Sequence, residues 1–285
     1  MTHNYKIIIS CRDRSFEISP DSAAHLTEGG LVGFDMAGFD VTVCPYAAQH
    51  GGYAQKRRFA ERELSLSFEI DKSDEAEARR ALVSMLDPRY DCTIDVTLGG
   101  VRRTIMAIPC DTPVFRRPTF SDLTAVTLYF TAPTVFFSGA KKESLKLHDC
   151  AGLLTFPMNF MSGAGLTAGF YRVYGSGTIE NTGDVECGFV AKITAEGGTV
   201  VNPTIALGDS FIRCPLTLAD GDTLTVDTRP KMKNILLNGE RCFIFDKRSE
   251  FFTLPAGKSE ISVTADRGEE FIGAVIEFKP NYCGV

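Results

Sequence analysis

The chain of 285 residues contains no tryptophan, no long apolar run and no excess of basic charge. No stretch approaches the roughly 20 consecutive apolar residues of a membrane helix, so no membrane span is predicted. The apolar run near the N-terminus is also too short for a signal peptide. A net charge of −6 leaves no basic stripe for gripping nucleic acid. These absences favour an ordinary globular protein that does not insert into lipid and does not bind DNA tightly.

Nine cysteines are present, and none are spaced Cys-x-x-Cys. Structural zinc sites need four ligands at close paired spacings, so no metal site is predicted. We therefore interpret the cysteines as buried, reduced residues of a protein made in a cytoplasm.

Catalytic motifs are missing as well. The chain has no Gly-x-Ser-x-Gly elbow, no phosphate loop and no His-Glu-x-x-His. Two acidic pairs, Asp220/Asp222 and Glu269/Glu270, have the residue types of a glycosidase site, but both lie in turn-forming sequence. We expect solvated turns there, and we predict no catalytic residue, no cofactor and no enzyme activity.

Strand periodicity dominates the first 138 residues. Residues 64–70 and 92–98 alternate apolar and polar side chains, and residues 125–130 are predicted to form a further strand. Gly99-Gly100 predicts a hairpin turn after the second of these runs, because two glycines supply the positive φ angles that a tight turn needs.

One helix is expected between these strands. Asp71 or Ser73 is its predicted N-cap, and Ala78 and Leu82 lie on its apolar face. The helix should end near Asp87-Pro88, since proline disfavours helical geometry in the residue before it.

Residues 44–58 have no clear period and end in a basic cluster. One interpretation is an ordinary exposed loop, which the residues alone favour. The other is an arm that reaches a neighbouring subunit, with Gly51-Gly52 giving flexibility and Tyr53 a contact surface.

The composition and pattern of the second half of the sequence change at residue 139 and again at residue 177. Residues 139–176 contain a run of small residues at 162–169 and are predicted to be a linker. From residue 177 the chain alternates short strands and turns, and Asn238-Gly239 is its strongest hairpin signal. Many short strands at this spacing indicate a β-sandwich or jelly roll.

The order of these features resembles the distal tail proteins of siphophages. The matching segments are Gly33-Phe34, the basic cluster leading into residues 62–68, the helix ending near Asp87-Pro88, residues 133–137, 179–183, 202–203 and 221–228, Asn238-Gly239 and residues 252–257. Ser259-Glu260 departs from the family, which has an asparagine after its Pro-x-Gly turn.

The resemblance implies a mainly β protein of two domains. Residues 1–138 would form an N-terminal β-sandwich with one α-helix, residues 139–176 a linker, and residues 177–285 a C-terminal galectin-like or jelly-roll β-sandwich. It also implies a structural virion protein of the tail tip, assembled in the host cytoplasm. Six copies would close into a ring that joins the tail tube to the tail tip and receptor-binding apparatus.

The resemblance reverses the interpretation of the loop, because the family's arm lies against the neighbouring subunit. The candidate interface residues are His50, Gly51, Gly52, Tyr53, Arg57 and Arg58. The implied partners are further copies of the chain, the tail tube protein and the tail-tip hub protein, with receptor-binding proteins as a further candidate. DNA would pass through the ring without sequence-specific binding.

Two other functions stay open at this point. One is a monomeric carbohydrate-binding β-sandwich, although the chain lacks the tryptophan that sugar sites favour. The other is a hydrolase whose site is assembled where the two domains join.

Overall fold

A computed structural model describes residues 5–117, 122–152, 169–173 and 175–285. The chain divides into two compact units. Unit 1 consists of Met1–Ala140 together with Asn281–Val285, and unit 2 consists of Lys141–Pro280. Independent folding of domains with the limits 1–138 and 177–285 stays a prediction. Residues 153–168 and 174 of the predicted linker, including nearly all of its small-residue run, lie outside the described residues.

Unit 1 is built from strands and one α-helix among its described residues. Its elements are β1 (Tyr5–Cys11), β2 (Arg14–Ile18), β3 (Ala24–Val32), β4 (Phe39–Pro45), β5 (Gly52–Phe59), β6 (Arg62–Asp71), α1 (Glu75–Met85), β7 (Cys92–Leu98), β8 (Val101–Pro109), β9 (Val114–Arg116), β10 (Leu123–Ala132) and β11 (Phe137–Gly139).

Unit 2 follows, and the chain then returns to unit 1. Unit 2 comprises β12 (Glu143–Lys146), β13 (His148–Gly152), β14 (Gly169–Val173), β15 (Ser176–Asn181), β16 (Phe189–Ala195), β17 (Val200–Val201), β18 (Thr204–Leu207), β19 (Ser210–Arg213), β20 (Thr217–Leu218), β21 (Thr223–Asp227), β22 (Asn234–Leu237), β23 (Glu240–Arg241), β24 (Gly257–Thr264), a 3-10 turn (Glu269–Phe271) and β25 (Ile272–Phe278). The last strand, β26 (Asn281–Tyr282), pairs with β11.

The strands of unit 1 run in the order β2-β1-β7-β8-β10-β6-β3. Alternate side chains of β1, β6, β7 and β10 are buried in one apolar cluster, as the alternating sequence requires. The three predicted strands at 64–70, 92–98 and 125–130 are confirmed as parts of β6, β7 and β10. Leu98 pairs with Val101 across Gly99-Gly100, both glycines with positive φ, so the predicted hairpin is also confirmed.

Helix α1 begins later than expected. Its N-cap is Asp74, which makes no side-chain capping hydrogen bond, so the predicted caps Asp71 and Ser73 are wrong. Leu86 is the C-cap in extended geometry, one residue before Asp87, which agrees with the predicted end. The first helical residue, Glu75, is buried and bonded to side chains outside the first turn, and these bonds fix the start of the helix.

Glu75 is only 2% exposed and is held by three side chains. Arg117 donates to both of its carboxylate oxygens at 2.6 and 2.7 Å, Thr124 donates at 2.8 Å, and Arg79 donates at 3.2 Å. The bonds from Arg117 above all, with those from Thr124 and Arg79, lower the pKa of Glu75 to about 2. The carboxylate of Glu75 therefore links α1 to Arg117 and to Thr124 of β10.

The interpretation of all nine cysteines as reduced is wrong for one pair. Cys11 of β1 and Cys92 of β7 face each other in the antiparallel ladder with Cα atoms 4.4 Å apart, and they form a disulfide. Such direct cross-strand neighbours come close enough to bond. The buried thiols Cys187 and Cys214 are free, and burial raises the pKa of each to about 12.

The C-terminal tail of unit 1 is fixed by one buried arginine. Arg62 donates to the backbone carbonyls of Val135 at 2.6 Å, Gly33 at 2.7 Å and Cys283. Its guanidinium also lies over the Phe137 ring at 4.8 Å. Because a planar guanidinium offers five donors in a fixed arrangement, one side chain can join three segments that are distant in sequence.

Unit 2 contains a sheet of order β12-β25-β16-β21-β22-β23 and another of order β15-β24-β18-β19. Their inward side chains form a second apolar cluster. Asn238 and Gly239 both have positive φ between paired Leu237 and Glu240, which confirms the predicted hairpin. The predicted mainly β class is confirmed for the chain. None of the helices in the described ranges is long and apolar enough to cross a membrane.

Candidate functional site

The segment with unclear periodicity is a β-hairpin, here called the arm (residues 39–59). Its strands β4 and β5 pair with each other, and in the described residues no other strand pairs with them. At its base Phe59 contacts Phe39 (ring centroids 5.7 Å apart) and Phe136 (5.1 Å). Aromatic rings thus pack the base of the arm against the rest of unit 1, while its two strands form a sheet of their own.

One face of the arm is apolar and exposed. Phe39, Val41 and Val43 alternate along β4, so their side chains share a face, and they are 64%, 55% and 60% exposed. A large apolar stripe on a two-stranded ribbon has no core of its own to cover it. These three residues were missed by the sequence reasoning, although the alternation Phe39-x-Val41-x-Val43 was a usable signal.

The opposite face of the arm is polar and carries an ion-pair cluster. Asp40 accepts from Lys56 at 2.6 Å and from Arg58 at 2.8 Å, and these bonds, that from Lys56 first, lower the pKa of Asp40. Arg57 pairs across the ladder with Val41, so it lies on the face of the apolar stripe, and it makes no ion pair with any residue that the structure describes. The arm therefore presents a net positive charge beside its apolar stripe.

The structure brings the predicted interface residues together on this one hairpin. His50 and Gly51 lie in the tip turn, where the Tyr46 N–H donates to the Gly51 carbonyl at 3.1 Å. Gly52 and Tyr53 begin β5, and the ring of Tyr53 lies 6.0 Å from that of Tyr46. Arg57 and Arg58 follow further along the same strand.

Backbone geometry, and not the flexibility that the sequence suggested, explains why glycine occupies positions 51 and 52. Gly51 has a φ of +92°, which favours glycine. At Gly52 an added Cβ would lie 2.4 Å from the Cys44 carbonyl oxygen. Both glycines therefore allow a tight tip rather than a loose one.

The two acidic pairs that were considered as glycosidase residues lie in turns. Asp220 accepts the Gly197 N–H at 2.7 Å, while Asp222 accepts the Ala219 N–H at 2.8 Å and the Asn238 amide at 2.9 Å. Glu269 and Glu270 form a 3-10 turn. Within the described ranges no group of three or more acidic, histidine or cysteine side chains is arranged to hold a metal ion.

Comparison with known proteins finds a family that is similar to the second half of the chain. Residues 182–282 match the family model described as the siphovirus-type tail component, C-terminal domain. The predicted resemblance to the distal tail proteins is confirmed in this part of the chain, which is similar to the siphovirus-type tail component family. No curated protein sequence matches the chain.

Solved structures share the fold of this chain over nearly its whole length. The crystal structure of the Dit protein of phage SPP1, described as a paradigm of the hub adsorption apparatus in phages that infect Gram-positive bacteria, superposes with a TM-score of 0.68. The two share 12% sequence identity, and the alignment covers 96% of this chain and 98% of that one.

Chains of the phage P2 baseplate in its activated conformation are also similar. The calcium form gives a TM-score of 0.50 at 9% identity over 97% of this chain and 98% of the other. The strontium form gives 0.51 at 10% identity over 96% and 97%. At these identities the comparisons show a shared fold.

Proposed function

We propose that this chain is the distal tail subunit whose six copies close into a ring joining the tail tube to the tail-tip and receptor-binding apparatus. The observation that carries the proposal is the arm, whose exposed apolar stripe has no cover within unit 1. The match of residues 182–282 to a tail component and the hub-like fold support the location. No catalytic role is proposed, because the acidic pairs are engaged in turns.

The arm has the properties of an intersubunit contact. A hairpin of two strands is marginally stable in water, so a surface that covers the stripe of Phe39, Val41 and Val43 would stabilise it. In a cyclic ring each copy donates one surface and receives another, and the two must be complementary. The free end of the unit 1 sheet at β3 is the receiving candidate, since edge strands have unpaired backbone groups and α1 contacts the other edge strand, β2, where Arg14 bonds to Ser84.

The specific partners in this proposal are further copies of the chain, the tail tube protein and the tail-tip hub protein. Receptor-binding proteins are a further candidate. The interface residues His50, Gly51, Gly52, Tyr53, Arg57 and Arg58 would lie against the neighbouring copy. DNA would pass through the ring without a sequence-specific grip, which agrees with the net charge of −6.

Site-specific photo-crosslinking tests the proposal. The full chain is made with benzoylphenylalanine in place of Tyr53, which is exposed on the arm, and irradiated at the concentration of assembly. Bands of two to six linked chains are expected on a denaturing gel. The matched control replaces Tyr90, a tyrosine of similar exposure away from the arm, and should give single chains.

Single chains from the Tyr53 position, or equal ladders from both positions, would contradict the arm as an intersubunit contact. A monomeric carbohydrate-binding module also predicts no linked chains, so the experiment separates the two functions.

A further inference from the structure

The exposed large apolar side chains of unit 2 gather at one place. Among the described residues of this unit they are Met232, Phe243, Ile244 and Phe245, and Phe243 is 82% exposed. Met232, Phe243 and Phe245 line a groove of about 280 Å³, here called the unit 2 groove. An exposed apolar patch rimmed by polar residues marks an interaction surface.

The charged side chains that line the unit 2 groove are all basic. Lys231, Lys233 and Arg241 line it, and no aspartate or glutamate does. None of the three forms an ion pair with a residue in the described ranges. In a chain of net charge −6, three cations that have no carboxylate partner among the described residues favour an acidic occupant beside this apolar surface, because complementary charge steers and orients a partner.

The backbone beside the groove is open. β23 lies at the end of its sheet, and residues 243–245 after it make no backbone hydrogen bond within the described chain. The segment is fixed at both ends, since Cys242 donates to the Ile235 carbonyl and Asp246 to the Arg213 carbonyl, each at 2.8 Å. An open segment held between two anchors can pair with an extended chain added at the sheet edge.

A buried acceptor also lacks a partner here. The side-chain oxygen of Asn234, which lines the groove, is buried without a hydrogen bond in the described structure. Buried polar atoms are satisfied in most native proteins, so a donor from an occupant would complete this one.

We propose that the unit 2 groove binds an extended segment of a partner protein that carries both acidic and apolar side chains. The open backbone of residues 243–245 can hydrogen-bond to the main chain of a peptide added at the sheet edge, which favours a peptide over single-stranded nucleic acid. A second copy facing the same groove would bring like charges together, which disfavours symmetric self-association. The inference concerns unit 2 and holds whether or not a ring forms.

Peptide selection on the full chain tests the inference. A display library of random peptides of about twelve residues is selected on the immobilised protein and then measured by fluorescence polarisation. The expected winners have net negative charge and at least two large apolar residues. Their affinity should fall with added salt, and it should drop at least about tenfold in Phe243→Ser and in the double variant Lys231→Glu/Lys233→Glu.

Matched controls keep the outcome interpretable. Phe243 is exposed, so its replacement should leave the thermal unfolding temperature unchanged, and Lys258→Glu changes an exposed lysine elsewhere on unit 2 without affecting binding. The inference is overturned if selected peptides lack an acidic bias or bind the groove variants as well as the parent. It is equally overturned if an oligothymidine probe binds the groove more tightly than the peptides, or if Phe243→Ser splits a dimer seen by light scattering.

Discussion

Replacing Val41 and Val43 by serine should dissociate the proposed ring without unfolding the chain. Both side chains lie on the apolar face of the arm, with 55% and 60% of their surface exposed. Serine removes the apolar methyl groups and adds a hydroxyl that water solvates in the free subunit. The double change therefore acts on contacts that form only between subunits.

The size of the effect follows from the exposed fractions. Complete burial of a valine side chain contributes about 1.5 kcal/mol, the lower end of the range for apolar side chains. Because little more than half of each valine is still available, a contact can gain about 0.8 kcal/mol from each. Desolvating two serine hydroxyls costs at least roughly 0.5 kcal/mol. Together these terms weaken each intersubunit contact by about 2 kcal/mol, or roughly 30-fold.

Ring closure amplifies that loss. Six copies associate in five steps but form six contacts, so the concentration at half assembly should rise by roughly 60-fold. Sedimentation velocity over a dilution series of the full chain measures this concentration. The matched control is Val83→Ser with Val101→Ser, two valines of similar exposure on α1 and at the start of β8.

The reasoning is refuted if the midpoint of dissociation of the arm variant stays within about threefold of the parent. It is also refuted if the control variant shifts as far as the arm variant. Equal thermal unfolding temperatures for all three proteins would show that any dissociation comes from the interface alone.

Three further changes test the internal structure of unit 1. Arg62→Leu should lower the free energy of unfolding by about 3 kcal/mol or more in urea titrations, because three buried carbonyls lose their donor. Glu75→Gln should flatten the acid side of the stability profile: the folded pKa is about 2 against 4.5 unfolded, so the contribution of Glu75 is complete above pH 4.5 and disappears as pH falls to about 2. Thermal unfolding from pH 7 to 2 measures this. Reducing the Cys11–Cys92 disulfide, which links residues 81 positions apart, should cost about 4 kcal/mol in urea titrations with and without reductant.

Each of these has a control and a contrary result. Arg62→Lys keeps the charge but loses the planar arrangement of donors, so an unchanged stability would contradict the role of Arg62. Glu77→Gln removes an exposed acid from the same helix and should leave the acid profile as steep as in the parent. The free energy of unfolding of Cys11→Ser should be the same with and without reductant. A parent protein that is equally stable with and without reductant would argue against the cross-link.

Local chemistry made the turns of this fold predictable. Asn238-Gly239 and Gly99-Gly100 supply the positive φ angles that a tight hairpin requires, and the flanking alternation set the register. The start of α1 could not be found in the same way. Asp71, Ser73 and Asp74 are all acceptable caps, and Arg117, which pairs with Glu75, is 42 residues away in sequence.

The arm was predictable in position but not in form. Strand β5 contains three consecutive basic residues, Lys56 to Arg58, and its register with β4 skips Gln55 at a β-bulge, so its sequence shows no alternation that a pattern could detect. The unit 2 groove was missed for a related reason. The sequence predicted a hairpin at Asn238-Gly239, but only Glu240–Arg241 pair with β22 after that turn, and the aromatic residues that follow are left exposed.

Oligomeric state and symmetry of the purified full chain test the ring most directly. Light scattering on a single chromatographic peak, with negative-stain class averages of the same fraction, gives mass and symmetry together. The proposed ring of six chains of 31.1 kDa predicts a particle of roughly 190 kDa with a central opening and sixfold averages. A homogeneous species of 31.1 kDa at every concentration, or a closed ring of another order, would contradict it.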